Sequence, residues 1–326
     1  MPGNHAPPQH HVYSVTETRY LSRFLHARGF DLAEACETYK KFVKMRDMYP
    51  YCYKRLDVLD PAIYDLMSRG YLFPLWERDS LGRTVIFGRG AMFNQKYGHR
   101  PTDLFRSVMM TVETLLDDEE NQRNGFVYIF DQEGVCLSEV TYLGVFELQK
   151  LVRSGEVRIA RIYFRSRIAT FTALSLPPDY DPDSFHFHPD SVFFSLLIQL
   201  LVRWDECKFQ KALPIKHKEV HWLNLPPIIM TCFYLISSFL SDKLRKRLFL
   251  HKNLDSLHDS IPPEILPLEY GGLVPWKEMS NSWISALEAN RSKLLSMDKM
   301  RWDDHKSGGK PHSVSIFQTI KKTLSI

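Results

Sequence analysis

The chain has 326 residues, 44% hydrophobic and 25% charged, with 42 basic against 38 acidic side chains for a formal charge of +4. That length can bury a sizeable core, and so mild a charge gives no footing for nucleic-acid binding by net charge alone. Five cysteines, Cys36, Cys52, Cys136, Cys207 and Cys232, form no CxxC pair and are odd in number, which fits a reduced compartment rather than a disulfide framework.

Residues 1–17 offer no apolar segment for a signal peptide and no Gly at position 2 for myristoylation, and are expected to be a disordered leader. Thr18 to Tyr49 reads as two helices broken at ARGFD. Leu21, Phe24 and Leu25 form one apolar cluster, and Ala33, Cys36, Tyr39, Phe42 and Val43 recur at helical spacing. Asp31 is placed to cap the second helix, with Glu34 at the capping-box position. Residues 18–74 are therefore expected to form a small N-terminal helical domain.

From Leu75 the texture changes. A turn at RDSLGR leads into the β-rich TVIF, Leu104 to Asp118 predicts a helix, and GFVYIFDQEG predicts a buried strand with a loop at its carboxyl end. EVHWL at 219–223 is a further strand, Ile228 to Leu250 is read as a helix, and Asp255 to His258 as the start of a last short helix. Strands alternating with helices argue for an α/β sheet whose ligands lie near the carboxyl strand ends, close to Asp131 and Asn224. Two segments stand outside this order: residues 154–203, which contain PPDYDPDSFHFHPD, and a tail from about Asp303 that is expected to be disordered.

The apolar run Ile228 to Leu240 is thirteen residues long, about 20 Å of helix against the ~30 Å of a bilayer core. It is flanked by Pro226 and Pro227 on one side and by Asp242 and Lys243 on the other, so it is too short to span. Ser191 to Val202 is no longer. On a helix, Lys243, Lys246 and Arg247 would share one face, with Asp242 placed to pair with Lys246. A greasy run followed at once by a cationic cluster suits an element that touches an anionic membrane surface, a solvated helix face being the alternative.

Motifs for chemistry are missing: the sequence has no GxSxG elbow, no GxGxxG after a strand and no Walker A loop. His186 and His188 in FHFH read as a polar turn rather than a metal pair. Asp131 and Glu133 read as turn brackets rather than an acid/base pair. No enzyme, cofactor or metal site is expected.

RFLHARGFD (23–31), ENQRNGFVYIFDQEG (120–134), LPIKHKEVHWLN (213–224) and FLSDKLRKRLFLHKNLDSLHDSIPPEILPLEYGG (239–272), followed by GLVP, together resemble the CRAL-TRIO lipid-transfer family, in its α-tocopherol transfer, clavesin and retinaldehyde-binding branch. The resemblance implies a helical domain packed on an α/β domain at 75–285, whose sheet floors an apolar cavity beneath a mobile gate helix. The gate falls on Ile228 to Leu240, with Ile229, Phe233, Ile236 and Leu240 facing cargo and Ser138 matching a cavity serine. Phosphoinositide contacts correspond to Arg28, Lys216, Lys243 and Arg247, and Lys218 and Lys246 are further basic candidates. Converging Lys and Arg donors suit bisphosphate headgroups.

The resemblance further implies a cytoplasmic, monomeric carrier of a tocopherol-, retinoid- or other lipid-like molecule, reversibly associated with endosomal or plasma membranes through phosphatidylinositol bisphosphate. The alternatives are a phosphoinositide-binding trafficking adaptor without cargo and, more remotely, a lipid-modifying enzyme. This chain departs from the family at several places. NLP stands for NEP at 224–226, and SSFL for KPFL at 237–240. The helical domain is short at its start, and Asp131 to Pro214 is roughly fifty residues longer than the family's spacing. Removing 154–203 nearly restores that spacing, as a retained intron would, with a genuine surface insertion as the alternative. Residues 286–326 are expected to hold a C-terminal helix and tail.

Overall fold

Asp31 accepts a hydrogen bond from the Glu34 amide at 2.9 Å and so starts the helix that its position predicts. In a computed structural model that describes residues 18–135, 213–227, 230 and 242–300, the ARGFD break separates α1 (Thr18–Ala27) from α2 (Leu32–Met48). The expectations for Ser138, Ile229, Phe233, Ile236, Leu240, the leader, the 154–203 segment and the tail lie outside the described residues.

The apolar positions of α1 and α2 meet. Phe24, with no exposed surface, packs edge-on against Tyr39 at 5.2 Å and Phe42 at 5.6 Å. Two short helices, α3 (Pro50–Tyr53) and α4 (Pro61–Ser68), follow, each with Pro in its first turn. α5 (Pro101–Leu115) begins one turn earlier than Leu104, because Arg100 and Asp103 close a capping pair and Pro101 needs no amide partner. α6 (Glu119–Asn124) then leads into the central strand.

Buried charge ties these helices together. Arg23, fully buried on α1, meets Glu113 of α5 at 2.7 Å and Asp117 at 3.1 Å, and Lys293 also contacts Asp117. Removing one partner would strand the others in a low-dielectric interior, so the arrangement fixes α1 against α5. Lys293 lies on α10 (Arg291–Ser296), which follows α9 (Trp276–Ala289). α9 packs on α4 and on the strand Leu72–Arg78, with Ser280 donating to the Met67 carbonyl at 2.9 Å. The short helix read at Asp255 to His258 is present as α8 (Leu254–His258), but it is not the last.

The sheet has five strands among the described residues: β1 (Leu72–Arg78), β2 (Thr84–Arg89), β3 (Phe126–Asp131), β4 (His217–Leu223) and β5 (Leu248–His251). They lie in chain order, β1 antiparallel to β2 and the rest parallel. β2, β3 and β4 match the expected strands, and the mixed α/β class is as expected.

Two expectations about 228–250 need correcting. A helix over Ile228 to Leu250 is not what the described end of that stretch adopts: helix persists only as α7 (Asp242–Arg245), and Leu248–His251 is β5. The LFLH segment carries one apolar residue after another, and pairing with Val220 to Leu223 satisfies backbone groups that a lone helical turn would leave to water. The shared helical face of Lys243, Lys246 and Arg247 therefore does not form, since Lys246 and Arg247 lie in a turn. Asp242 meets Arg245 at 3.6 Å rather than Lys246.

Candidate functional site

In a parallel sheet, register partners project to the same face. Glu219, His221 and Leu223 of β4 share one face with Val127, Ile129 and Asp131 of β3 and with Phe249 and His251 of β5. The opposite face carries Tyr128, Phe130, Val220, Trp222, Leu248 and Leu250.

The first face is closed, and it carries the charged and imidazole side chains of the sheet beside the buried Val127, Ile129 and Leu223. Arg83 reaches Glu219 with two bonds of 2.7 and 3.0 Å. His221 Nδ1 lies 2.8 Å from His251 Nε2 with the rings nearly parallel, and Phe249 stacks on His221 at 4.7 Å. Burial, and the neighbouring His251 imidazole, hold the His221 pKa down at about 4. At the carboxyl strand ends, Asp131 accepts from the Tyr270 hydroxyl at 2.6 Å, the Asn224 amide at 3.0 Å and the Glu133 backbone at 3.0 Å. Asp131 is thus a structural bracket. Tyr270 also meets Phe87 at 4.6 Å, so the segment that follows α8 covers this face.

The second face is an aromatic floor. One row crosses all five strands: Leu72, Gly88, Phe130, Trp222 and Leu250. Phe130 stacks on Tyr128 at 6.1 Å and meets Trp222 at 5.1 Å. Gly88 is needed there, because a Cβ would stand 2.7 Å from the Phe130 ring. Phe130, Trp222, Leu248 and Leu250 are only half-buried. The Trp222 indole nitrogen is itself buried, without a hydrogen-bond partner among the described residues.

The basic candidates gather at the amino-terminal edge of the same strands. Lys216 precedes β4, and its ammonium donates to the Arg123 carbonyl at 3.2 Å. Burial and then the Lys218 charge lower its pKa. Arg247, just before β5, donates to the His217 carbonyl at 3.0 Å, and His217 Nδ1 lies 2.8 Å from the Tyr128 hydroxyl. Burial, then Arg247, pulls the His217 pKa down to about 4. Lys243 and Lys246 are exposed on α7 and the turn after it. Arg28, in the turn after α1, donates to the Thr38 hydroxyl at 2.8 Å. His26 links α1 to the cluster: burial, then Lys216 and Arg123, disfavour its protonation.

Lys216, Lys218 and Arg247 are thus brought to one strand edge beside Arg123 and His26, while Arg28 meets Thr38 and Lys243 lies on α7. Arg123, His26, Tyr128 and Trp222 were not singled out from the sequence. The signal for the last was present: Tyr128 and Phe130 alternate on FVYIFD, and Trp222 holds the matching position on EVHWL.

The CRAL/TRIO domain family matches residues 68–154 and 206–272, passing over 155–205. The chain carries a CRAL/TRIO domain at those residues. Members of that family are lipid-binding and lipid-transfer domains. Clavesin-1 of Rattus norvegicus is 28% identical over 273 residues, which are 83% of this chain and 61% of that protein. Clavesin-2 of Homo sapiens is 27% identical over 273 residues, 83% of this chain and 66% of that protein. The chain thus spans about three fifths to two thirds of the clavesins it matches. A crystal structure of Sfh5 superposes with a TM-score of 0.44 at 12% identity, covering 94% of this chain and 81% of the other. No helix among the described residues is long and apolar enough to cross a membrane.

Proposed function

We propose that this protein is a carrier of a small hydrophobic molecule, held over the aromatic floor and exchanged at membranes that bear phosphatidylinositol bisphosphate. The observation that carries the reading is a juxtaposition: the strands that present Phe130 and Trp222 also place Lys216, Lys218 and Arg247 at one edge. Apolar cargo over such a floor gains about 25 cal/mol per Å² removed from water. The basic edge, with the exposed Lys243 and Lys246 and with Arg28 across α1, attracts an anionic leaflet and orients the floor towards it. The protein works as a cytoplasmic monomer that visits endosomal or plasma membranes.

The break in the family match over 155–205 supports reading 154–203 as an addition to the domain rather than part of its lipid site.

Vesicle flotation tests the docking. Lys216→Ala with Lys218→Ala and Lys243→Ala is expected to lower recovery on vesicles containing phosphatidylinositol bisphosphate, and to leave the weak recovery on pure phosphatidylcholine unchanged. Equal recovery of variant and wild type on both vesicles would remove these residues from the docking surface.

A further inference from the structure

The aromatic floor contains one feature that an apolar surface does not require. Trp222 projects from β4, one residue before the strand's carboxyl end, into the row Leu72, Gly88, Phe130, Trp222 and Leu250, and its indole N–H is buried without an acceptor among the described residues. A tryptophan ring can serve apolar packing, but its N–H is a donor only, and leaving it unpaired out of water is unfavourable relative to its hydrated state. Buried indoles ordinarily find a partner. The polar groups that this sheet provides lie elsewhere. His221, Glu219, Asp131 and His251 project to the opposite face. The Tyr128 hydroxyl on this face is engaged with His217 at 2.8 Å. Phe130 and Leu250, the register partners of Trp222, offer no acceptor.

We infer that Trp222 is a specificity-determining residue of the cargo site: it donates to a hydrogen-bond acceptor on the cargo, so the preferred cargo is a lipid whose apolar body carries a carbonyl, hydroxyl or ether oxygen rather than a bare hydrocarbon. The inference rests on the carrier reading above and narrows the chemical class of its cargo. An indole donor discriminates in one direction. A hydrocarbon in the same place leaves the N–H unpaired, whereas an acceptor-bearing lipid satisfies it, so one good hydrogen bond is expected to separate the two by about five- to tenfold in affinity. The donor has no acceptor function, so it does not distinguish a ketone from an ether. Phe130, at 5.1 Å and tilted by 39°, stands beside the indole and favours a flat or conjugated portion of the cargo next to the oxygen.

The test uses two probes matched in length and shape, a conjugated polyene aldehyde and the corresponding polyene hydrocarbon. Each is supplied to the full chain from phosphatidylcholine vesicles, and its partition into protein is measured for wild type and for Trp222→Phe. The same titrations are followed at the Trp222 indole resonance in 15N–1H spectra, assigned by its loss in Trp222→Phe. The expected result is a five- to tenfold preference of wild type for the aldehyde, a downfield shift of the Trp222 N–H with the aldehyde alone, and loss of the preference in Trp222→Phe with hydrocarbon binding retained. Equal preference in both proteins, or an indole resonance unmoved by bound aldehyde, overturns the inference and leaves the carrier reading standing. A resonance already at its hydrogen-bonded position in lipid-free protein assigns the acceptor to the chain itself and also overturns it. If neither probe partitions into wild type, and native mass spectrometry after exposure to cellular lipid extract finds no bound molecule, the carrier reading fails and the inference with it. Should Trp222→Phe not fold, Trp222→Leu takes its place both for the assignment and for the partition comparison.

Discussion

The two faces of the sheet are built from alternate residues of the same strands and meet opposite demands. On one, each polar group among His221, His251, Glu219, Arg83 and Asp131 has a protein partner, and Tyr270 closes the surface over them. On the other, half-buried aromatic and aliphatic side chains form a floor with one unpartnered donor among the described residues. The difference teaches where the molecule holds its stability and where it holds its selectivity. A closed polar network punishes any deletion, because each lost partner strands another group. An apolar floor tolerates volume-conserving change at small cost to folding, and answers instead through what it binds.

If that division is right, the largest effect on stability comes from the polar face. Asp131→Ala would strand the Tyr270 hydroxyl and the Asn224 amide, and is expected to cost about 2–4 kcal/mol, read as a drop of several degrees in Tm. A loss within half a kilocalorie would mean that this face is not the stabilising one.

Acid should act through His221 on the same side of the comparison and through His217 at the strand edge, against the Tyr128 hydroxyl. His221 and His217 are held neutral, with pKa values near 4 against 6.5 when unfolded, so the unfolded chain binds more protons throughout that window. The stability they contribute is complete above about pH 6.5 and is lost as pH falls towards 4, by roughly 2–3 kcal/mol for each group. Thermal melts from pH 7.5 to 4.5 should show it, and His221→Gln should flatten the slope. An unchanged slope in that variant would place the acid sensitivity elsewhere.

Smaller effects belong to the floor. Gly88→Ala would push a methyl group against the Phe130 ring, with an expected cost of about 1 kcal/mol and a larger proportional loss of bound cargo. A proportionate loss of both would argue that Phe130 is simply core. Smallest of all, Lys216→Ala with Lys218→Ala should move Tm by no more than about half a kilocalorie's worth while lowering vesicle recovery, which flotation and calorimetry on the same preparations would separate.

Much of this was legible in the sequence, for identifiable reasons. α1, α2, β2, β3 and β4 follow from periodicity and from the Asp31 cap, which are local signals. β5 was hidden because LFLH directly follows DKLRKR, and a cationic stretch after an apolar run carries a helical period through to the end. Only pairing with Val220 to Leu223, a contact across roughly thirty residues of chain, makes it a strand. The basic residues could be chosen by resemblance, yet their grouping could not. Lys216 and Arg247 adjoin because β4 and β5 are parallel neighbours. The partnering of His221 with His251, and of Asp131 with Tyr270, likewise depends on register. Trp222 was readable as a strand residue, whereas its unpaired nitrogen is a property of the folded face.

The claim that most needs testing is that the Tyr128, Phe130 and Trp222 face holds cargo. Native mass spectrometry of the full chain after exposure to cellular lipid extract, comparing wild type with Phe130→Glu and with Lys216→Ala plus Lys218→Ala, addresses it directly. The expected result is an added apolar mass on wild type and on the lysine variant that is lost from folded Phe130→Glu. An added mass that survives Phe130→Glu unchanged, or none on wild type, would contradict the assignment.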